Sequence, residues 1–206
     1  MNGQEIEAKF YVNNLRKIEL RLLELKAQLI QSRTHETNLR FDNANNELKK
    51  SYRVLRLRQD EKARLTYKGP GLEQTGGILI RPEIEFIVED FNKAKEFLEA
   101  LGYRVVVFYE KFRATYELNR IHIMLDELPY GEYVEIEGDD VEGIHIIANL
   151  LGLDWRSMIN TGYYALFERV AEKYNLNTSQ LSFAALEKVK ITAEDLGIEA
   201  ADQFDS

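Results

Sequence analysis

Charged and apolar residues alternate along residues 5–10, which is the pattern of a β-strand with one polar face. The charged residues fall on one face, namely Glu5, Glu7 and Lys9, and the apolar residues on the other, namely Ile6, Ala8 and Phe10. The same alternation recurs in later segments around the pairs Arg56 and Arg58, Glu83 and Glu85, Lys111 and Arg113, and Glu135 and Glu137. Such strands either turn their charges outward to water or close into a sheet whose charges surround a ligand.

Eight segments with strand patterning are separated mostly by short connections. They are residues 5–10, 39–42, 54–58, 65–68, 78–88, 103–118, 121–125 and 132–137. This order predicts a mainly antiparallel sheet with helices outside it, an α+β fold, and eight strands are enough to close a barrel. Residues 69–77 contain several glycines and are expected to form a mobile loop that moves over the barrel mouth.

Helical spacing of apolar residues predicts helices between these strands. Asn13 or Asn14 can cap a first helix, whose apolar positions are Leu15, Ile18, Leu22, Leu25 and Leu29. Two further helices are predicted over residues 90–102 and 139–152, each beginning at an Asp and ending near a Gly.

Only helical patterns remain after the last strand. They comprise a stripe from Tyr164 to Tyr174, a helix over residues 179–189, and a capping box that begins at Thr192. We therefore expect a barrel domain over residues 1–175 and a helical C-terminal extension over residues 176–206, with frayed final residues.

The helices decide which face of the sheet lies inside. Their apolar stripes need an apolar surface, so the apolar strand faces are expected to point outward and the charged faces into a water-filled barrel. The interior set is nearly balanced in sign, which offsets the cost of removing ions from bulk water. Its basic members are Lys9, Arg56, Arg58, Lys68, Lys111 and Arg113, and its acidic members are Glu5, Glu7, Glu83, Glu85, Asp126, Glu135 and Glu137.

Composition narrows the class of protein. The chain has 206 residues, no Cys and three His, which disfavours thiolate chemistry and a histidine zinc site. The net charge of −8 argues against nucleic-acid binding, although a pocket can still be basic locally. No long apolar run and no signal peptide are visible, so a cytoplasmic protein without a membrane partner is expected. A homodimer is compatible with this composition.

The predicted lining suits a compact polyanion and a hard metal ion. Guanidinium and ammonium groups that converge from several strands match phosphate oxygens. Carboxylates would repel that ligand unless they hold Mg²⁺ or Mn²⁺, which take oxygen ligands and bridge to phosphate. No glycine-rich phosphate loop is present, so side chains must bind the phosphates. The residues thus indicate a metal-assisted reaction at a polyphosphate.

The ordered series of charged residues resembles the CYTH superfamily, also called triphosphate tunnel metalloenzymes. It runs through Glu5-x-Glu7-x-Lys9, Arg56-x-Arg58, Lys68, Glu83-x-Glu85, Lys111-x-Arg113, Asp126 and Glu135-x-Glu137. The resemblance covers residues 5 to about 170. It implies an eight-stranded antiparallel barrel whose hydrophilic tunnel holds a triphosphate.

The resemblance also implies roles for individual residues. Metal ligands would be Glu5, Glu7, Asp126, Glu135 and Glu137, while Glu83 and Glu85 would orient basic residues or assist a second metal. The triphosphate would be bound by Lys9, Arg56, Arg58, Lys68, Lys111 and Arg113, and the catalytic residues among these would be Lys9, Arg56, Lys111 and Arg113. Two stretches depart from the family pattern. The first is residues 41–45. The second is residues 161–164, where some triphosphatases have a Lys in the C-terminal helix.

Other charged and aromatic residues have ordinary structural interpretations. Arg40, Arg53 and Arg64 are expected at the surface or rim, and Trp155, Tyr163 and Tyr164 are expected to pack in the core. The first functional hypothesis is metal-dependent hydrolysis of inorganic triphosphate, thiamine triphosphate or a nucleoside triphosphate. The alternatives are a class IV adenylate cyclase that forms cyclic AMP and pyrophosphate, and a non-catalytic module that binds polyphosphate or nucleotide.

Overall fold

The computed structural model describes residues 4–73 and 79–202, and the side chains of residues 6–71 and 81–202. The strands are β1 (Gln4–Val12), β2 (Gln28–Asp42), β3 (Val54–Gln59), β4 (Ala63–Lys68), β5 (Leu72–Glu73), β6 (Leu79–Val88), β7 (Arg104–Leu118), β8 (Ile121–Leu128), β9 (Gly131–Glu137) and β10 (Gln180–Leu181). The helices are α1 (Leu15–Glu24), α2 (Glu47–Lys50), α3 (Phe91–Ala100), α4 (Val141–Leu150), α5 (Tyr163–Ala171), α6 (Phe183–Leu186) and α7 (Ala193–Leu196), with a 3-10 turn at Trp155–Ser157. None of these helices is long and apolar enough to cross a membrane.

Eight strands of the described chain form one curled antiparallel sheet in the order β1-β9-β8-β7-β2-β3-β4-β6. The two ends of this order also pair with each other, because β6 runs antiparallel to β1 from Gln4 opposite Pro82 to Glu7 opposite Leu79. Short β5 pairs with β6, and β10 pairs in parallel with β7. The predicted α+β fold with an eight-stranded antiparallel barrel is confirmed.

The outer face of the sheet carries the main apolar core. Helix α1 begins where the Asn14 side chain accepts from the Lys17 backbone N–H, and it buries a stripe that includes Ile18 and Leu22. Helix α4 begins in the same way at Asp140 and buries Ile144 and other residues of its stripe. Both helices pack in one cluster with outward residues of β1, β7, β8 and β9. The apolar strand faces therefore point outward, as the helical stripes require.

A second apolar cluster lies over the neighbouring strands. Asp90 caps α3 by accepting from the Lys93 backbone N–H, and Leu98 of this helix packs with Phe41 and Leu57. These two partners belong to β2 and β3 and lie on the strand faces opposite to the arginine-bearing ones. The barrel is thus covered outside by helices on two sides.

Helix α5 packs against one end of the barrel. Tyr11 and Tyr133 share the strand faces of Lys9 and Glu135, respectively, yet they form an apolar cluster with Leu166 and Phe167 of α5. The backbone N–H of Ile159 also donates to the carbonyl of Lys9, at 2.8 Å. The barrel interior therefore changes from charged to aromatic along its axis, and the aromatic end is filled by α5.

Strand β2 is longer than predicted and the first helix is shorter. Helix α1 ends at Glu24 and Leu29 belongs to β2, which begins at Gln28 instead of residue 39. Polar residues dominate both faces of residues 28–38, so no hydrophobic alternation marks the strand. Its backbone pairs with β7 from Gln28 to Asp42 and, on the other side, with β3 from Thr37 to Phe41.

The prediction of one helix over residues 179–189 is wrong. Gln180–Leu181 forms β10, and Ser182 then caps the four-residue α6 by accepting from the Ala185 backbone N–H. The backbone N–H of Phe108 donates to the Ser179 carbonyl, which holds this segment extended beside β7.

Other predictions on the loop and the C-terminus have mixed outcomes. The capping box at Thr192 is confirmed. Residues 74–78 lie outside the described residues, and they include part of the predicted mobile loop and the predicted strand start at residue 78. Residues 203–206 of the tail lie outside the described residues as well. The domain boundary at residue 175 stays a prediction.

Candidate active site

One large cavity, of about 1050 Å³, lies inside the barrel, and residues of α2 and of the start of α5 also line it. Among the residues lining it are all six predicted basic residues, Lys9, Arg56, Arg58, Lys68, Lys111 and Arg113. Five predicted acidic residues line it as well, namely Glu7, Glu83, Glu85, Glu135 and Glu137. The Glu5 side chain lies outside the described side chains, and Asp126 lies behind the lining, fully buried. Strand alternation has therefore brought together side chains that are far apart in sequence.

Part of the cavity wall consists of basic residues held by short bonds to carboxylates, and we call Lys9, Lys111, Arg113, Asp126 and Glu135 the compensated wall. Asp126 accepts from Lys111 Nζ at 2.9 Å and from Arg113 Nε and Nη2 at 2.5 Å each. The register of β7 and β8 places Arg113 directly opposite Asp126. Both oxygens of Asp126 are thus engaged, and the carboxylate fixes where the two cations point.

Lys9 and Glu135 form the second half of the compensated wall. They pair across β1 and β9, with Lys9 Nζ 2.9 Å from Glu135 Oε1, and Arg113 also donates to Glu135. Burial lowers the pKa of Lys9, but the charges of Glu135 and Glu7 more than offset this, so the net shift is upward. Burial raises the pKa of Glu135, but Lys9 and Arg113 bring it well below its usual value. Both groups therefore stay ionised at neutral pH.

The opposite part of the lining holds its arginines more loosely, and we call Arg56, Arg58, Lys68, Glu83 and Glu85 the cationic wall. Arg56 Nη2 lies 3.5 Å from Glu85 Oε2, and Arg58 Nη2 lies 3.2 Å from Glu85 Oε1. Lys68 and Glu83 are closer, at 3.0 Å. Burial and the nearby charge of Arg56 lower the pKa of Arg58. Glu85 is the nearest carboxylate to both guanidinium groups, and Arg58 also lies 3.7 Å from Glu36 and from Asp60. The cationic wall itself has three cations for two carboxylates.

Comparison with known proteins identifies the family. The CYTH domain model matches residues 3–150, which is most of the chain. The chain belongs to the CYTH domain family. A protein of Methanocaldococcus jannaschii named "putative adenylate cyclase" is 27% identical over 135 residues, covering 65% of this chain and 75% of that protein.

Solved structures of similar fold agree with this assignment. A "putative adenylate cyclase" from Vibrio parahaemolyticus has a TM-score of 0.72 at 19% identity, covering 82% of this chain and 99% of that one. A "putative adenylyl cyclase" from Hippeastrum, described as having a dominant triphosphatase activity, has a TM-score of 0.61 at 18% identity, covering 80% of this chain and 95% of that one. At these identities the likeness concerns the fold.

The CYTH barrel of this chain contains a buried carboxylate that sequence reasoning missed. Glu36 of β2 is 1% exposed, with oxygens 3.7 Å from Lys111 Nζ, 3.7 Å from Arg58 Nη1 and 4.0 Å from Arg113 Nε. Burial raises its pKa, but these cations lower it to about 2. Its position two residues before Asn38 and four before Arg40 was the available signal, since these residues share one strand face.

Tyr163 packs against the apolar cluster at α5, as expected of a packing residue, and it also lines the cavity. Its hydroxyl donates to Asp126 at 2.8 Å, and its ring centroid lies 4.5 Å from Lys9 Nζ. Burial raises the pKa of this phenol well above its usual value, so it remains a hydrogen-bond donor at neutral pH. It links α5 to the compensated wall, a contact that no periodicity in the sequence indicates.

The structural expectations for the other basic and aromatic residues are met only in part. Tyr164 also lines the cavity instead of packing only in the core, and Arg40 and Arg53 line it as well. Arg64 pairs with Asp60 at 2.6 Å and lies 3.7 Å from Glu85, but it is not itself among the lining residues. Trp155 packs against Phe10, at 5.9 Å between ring centroids, as expected of a core residue.

CYTH tunnel enzymes generally depend on a divalent metal, and part of the predicted ligand set fits one. Glu7 and Glu137 face each other across β1 and β9, and both line the cavity with the oxygen donors that Mg²⁺ or Mn²⁺ prefers. Among residues with described side chains, no three carboxylate or imidazole groups are arranged to hold a metal, and the Glu5 side chain is not among them. Asp126 fits less well, because its oxygens already accept from three side chains. The ligand assignments stay predictions.

Proposed function

We propose that this chain hydrolyses a triphosphate inside its barrel, with a divalent metal ion. The observation that carries the proposal is the convergence of six cations from β1, β3, β4 and β7 on one cavity. A cavity of about 1050 Å³ has room for a triphosphate with its water. A polyanion supplies the negative charge that the cationic wall lacks, and it makes charge-assisted hydrogen bonds there.

In this proposal the two walls have different tasks. Arg56 and Arg58 bind the phosphate chain by replacing their long contacts to Glu85 with short contacts to phosphate oxygens. Lys68, 3.0 Å from Glu83, binds the phosphate chain as well. Lys9, Lys111 and Arg113, already oriented by Asp126 and Glu135, stabilise the charge that develops on the transferred phosphoryl group. Preorganised groups do this without reorganising during the reaction.

The reaction breaks one bridging bond. A water oxygen attacks the terminal phosphorus, the bond to the bridging oxygen breaks, and orthophosphate and the shortened phosphate chain are released with a proton to solvent. A divalent metal, for which Glu5, Glu7 and Glu137 are the proposed ligands, would neutralise phosphate charge. Glu83 and Glu85 are proposed to orient the three basic residues of the cationic wall.

Cyclisation of ATP is the second candidate. The Methanocaldococcus jannaschii relative carries an adenylate cyclase name, which favours testing it. Hydrolysis is placed first because a cyclase-named neighbour of the same fold is described as predominantly a triphosphatase. A third possibility, a module that binds polyphosphate without turnover, would have no use for so many acidic residues in the cavity.

The test measures products from tripolyphosphate, thiamine triphosphate and ATP with Mg²⁺, with Mn²⁺ and with a chelator. We expect orthophosphate release that requires the metal. Formation of cyclic AMP and pyrophosphate from ATP would show that the reaction is cyclisation and not hydrolysis. Tight binding without any turnover would support the binding module, and the absence of both binding and turnover would refute the proposal.

A further inference from the structure

Tyr52, between α2 and β3, is an exposed aromatic residue at the cavity. It lines the cavity together with its neighbour Arg53, and it is 81% exposed, more than any other large hydrophobic residue in the described chain. Single exposed aromatic residues are common on proteins and need no explanation by themselves. The backbone at this position makes Tyr52 unusual.

Tyr52 adopts the left-handed conformation, with φ of +56°. It follows the last turn of α2, where its N–H donates to the Lys49 carbonyl and the Arg53 N–H donates to the Leu48 carbonyl. Glycine or asparagine is favoured at such a position, because a bulky side chain is strained there. The side chain is too exposed to offset this strain by burial within the free protein.

A second tyrosine and several cations line the same part of the cavity, and we call Tyr52, Tyr164, Arg40, Lys49 and Arg53 the tyrosine rim. The Tyr164 ring lies 4.9 Å from Arg40 Cζ and 5.7 Å from Lys49 Nζ. Aromatic rings and guanidinium groups stack on flat heterocycles with little sequence preference. Glu168 also lines the cavity and pairs with Lys49 at 2.7 Å, so three basic residues face one carboxylate here. The remaining positive charge favours a neutral heterocycle over a cationic one.

We infer that the tyrosine rim binds the base of a nucleoside triphosphate whose phosphates occupy the barrel. This inference rests on the proposed function and narrows its substrate class. A site that recognised charge alone would favour tripolyphosphate, which carries the most negative charge. The thiazolium ring of thiamine is cationic, so thiamine triphosphate should gain less from the basic residues of the rim than ATP does.

The test is a calorimetric comparison of wild type and Tyr52→Gly, with ATP, thiamine triphosphate and tripolyphosphate as ligands. A chelator is present to suppress metal-dependent turnover. Loss of one stacking contact should weaken ATP binding by about fivefold to a hundredfold. Tripolyphosphate affinity should change by less than about twofold, because Tyr52 offers no charge to it.

Lys26 provides a matched control. It follows α1 with φ of +58° and has the same pair of backbone hydrogen bonds, Lys26 N–H to Leu23 and Ala27 N–H to Leu22. It is exposed and does not line the cavity. Lys26→Gly and Tyr52→Gly should each relieve backbone strain and raise Tm by about 2–4 °C. Only Tyr52→Gly should weaken ATP binding.

The possible results separate the two proposals. Equal loss of ATP and tripolyphosphate affinity, or no loss of either, would overturn the tyrosine rim while leaving a triphosphate-binding barrel. A lower Tm for Tyr52→Gly would make Tyr52 a packing residue and also overturn it. Failure of wild type to bind or hydrolyse tripolyphosphate would refute the barrel itself, and failure to bind ATP would refute the rim.

Discussion

The compensated and cationic walls are built from the same kinds of residue but differ in how closely their arginines are paired with carboxylates. Asp126 receives donors at 2.5–2.9 Å, whereas Glu85 lies 3.2–3.5 Å from its two arginine partners inside the cavity. Short buried pairs are expensive to break, whereas long ones are readily exchanged for a better anion. The difference indicates that one wall is set before a ligand arrives and the other responds to it.

The largest expected effect is on stability at the compensated wall. Asp126→Asn leaves Lys111 and Arg113 buried without their main counter-charge, so we expect the free energy of unfolding to fall by about 3–5 kcal/mol. Glu85→Gln is the matched change at the cationic wall and, with a side chain 30% exposed, should cost less than about 1 kcal/mol. Urea unfolding of both variants checks this. Equal losses would remove the distinction between the walls.

Glu36 faces cations of both walls, and its substitution should have a pH-dependent effect. Because its pKa in the folded protein is about 2, below the unfolded value, its contribution is present above about pH 4.5 and is lost as the pH falls toward 2. Glu36→Gln should therefore cost about 3 kcal/mol at pH 7 and almost nothing near pH 2. Unfolding of the variant and wild type across this range provides the measurement. A constant difference would contradict the assigned ionisation.

Removing a cation from the cationic wall should affect ligand affinity more than folding. Arg56→Ala is expected to lose about 2 kcal/mol of triphosphate binding, or roughly 30-fold in Kd, because one charge-assisted contact is removed. Arg33→Ala is the control, since Arg33 pairs with Glu127 at 2.6 Å and does not line the cavity. Calorimetric titration with tripolyphosphate decides between them. If both variants bind like wild type, Arg56 does not contact the ligand.

The smallest expected effect is at Tyr163, which connects α5 to the compensated wall. Tyr163→Phe removes one of several donors to Asp126 and should cost about 1 kcal/mol of stability. Tyr116→Phe removes a comparable bond to Glu19, outside the barrel. We expect only Tyr163→Phe to change kcat for triphosphate hydrolysis. A similar kcat in both variants would make the Tyr163 hydroxyl purely structural.

Strand alternation allowed the interior of the barrel to be predicted from sequence. Helices with one apolar stripe required an apolar outer face, and this placed Lys9, Arg56 and Lys111 inside. Glu36 escaped because its strand is polar on both faces, one toward the cavity and one toward solvent. In such a strand only pairing with its neighbours indicates the structure.

Contacts between distant segments could not be predicted from the sequence for a related reason. The roles of Tyr163 and Tyr52 depend on how α5 and the end of α2 meet the barrel, and no periodicity carries that information. The pairing of Arg113 with Asp126 depends on the register of β7 against β8, which the turn at residues 119–120 sets. Sequence pattern determines faces, whereas register and docking determine partners.

The closure of the barrel through β1 has a consequence for how the chain folds during synthesis. This strand is synthesised before both of its neighbours, β6 and β9, so Glu7 cannot pair with Glu137 until about 130 further residues have been made. Pairings so distant in sequence make folding slow, and until they form, β1 has two unpaired edges. Its alternating charges then serve a second purpose, because Glu7 and Lys9 keep the nascent strand from associating with other chains.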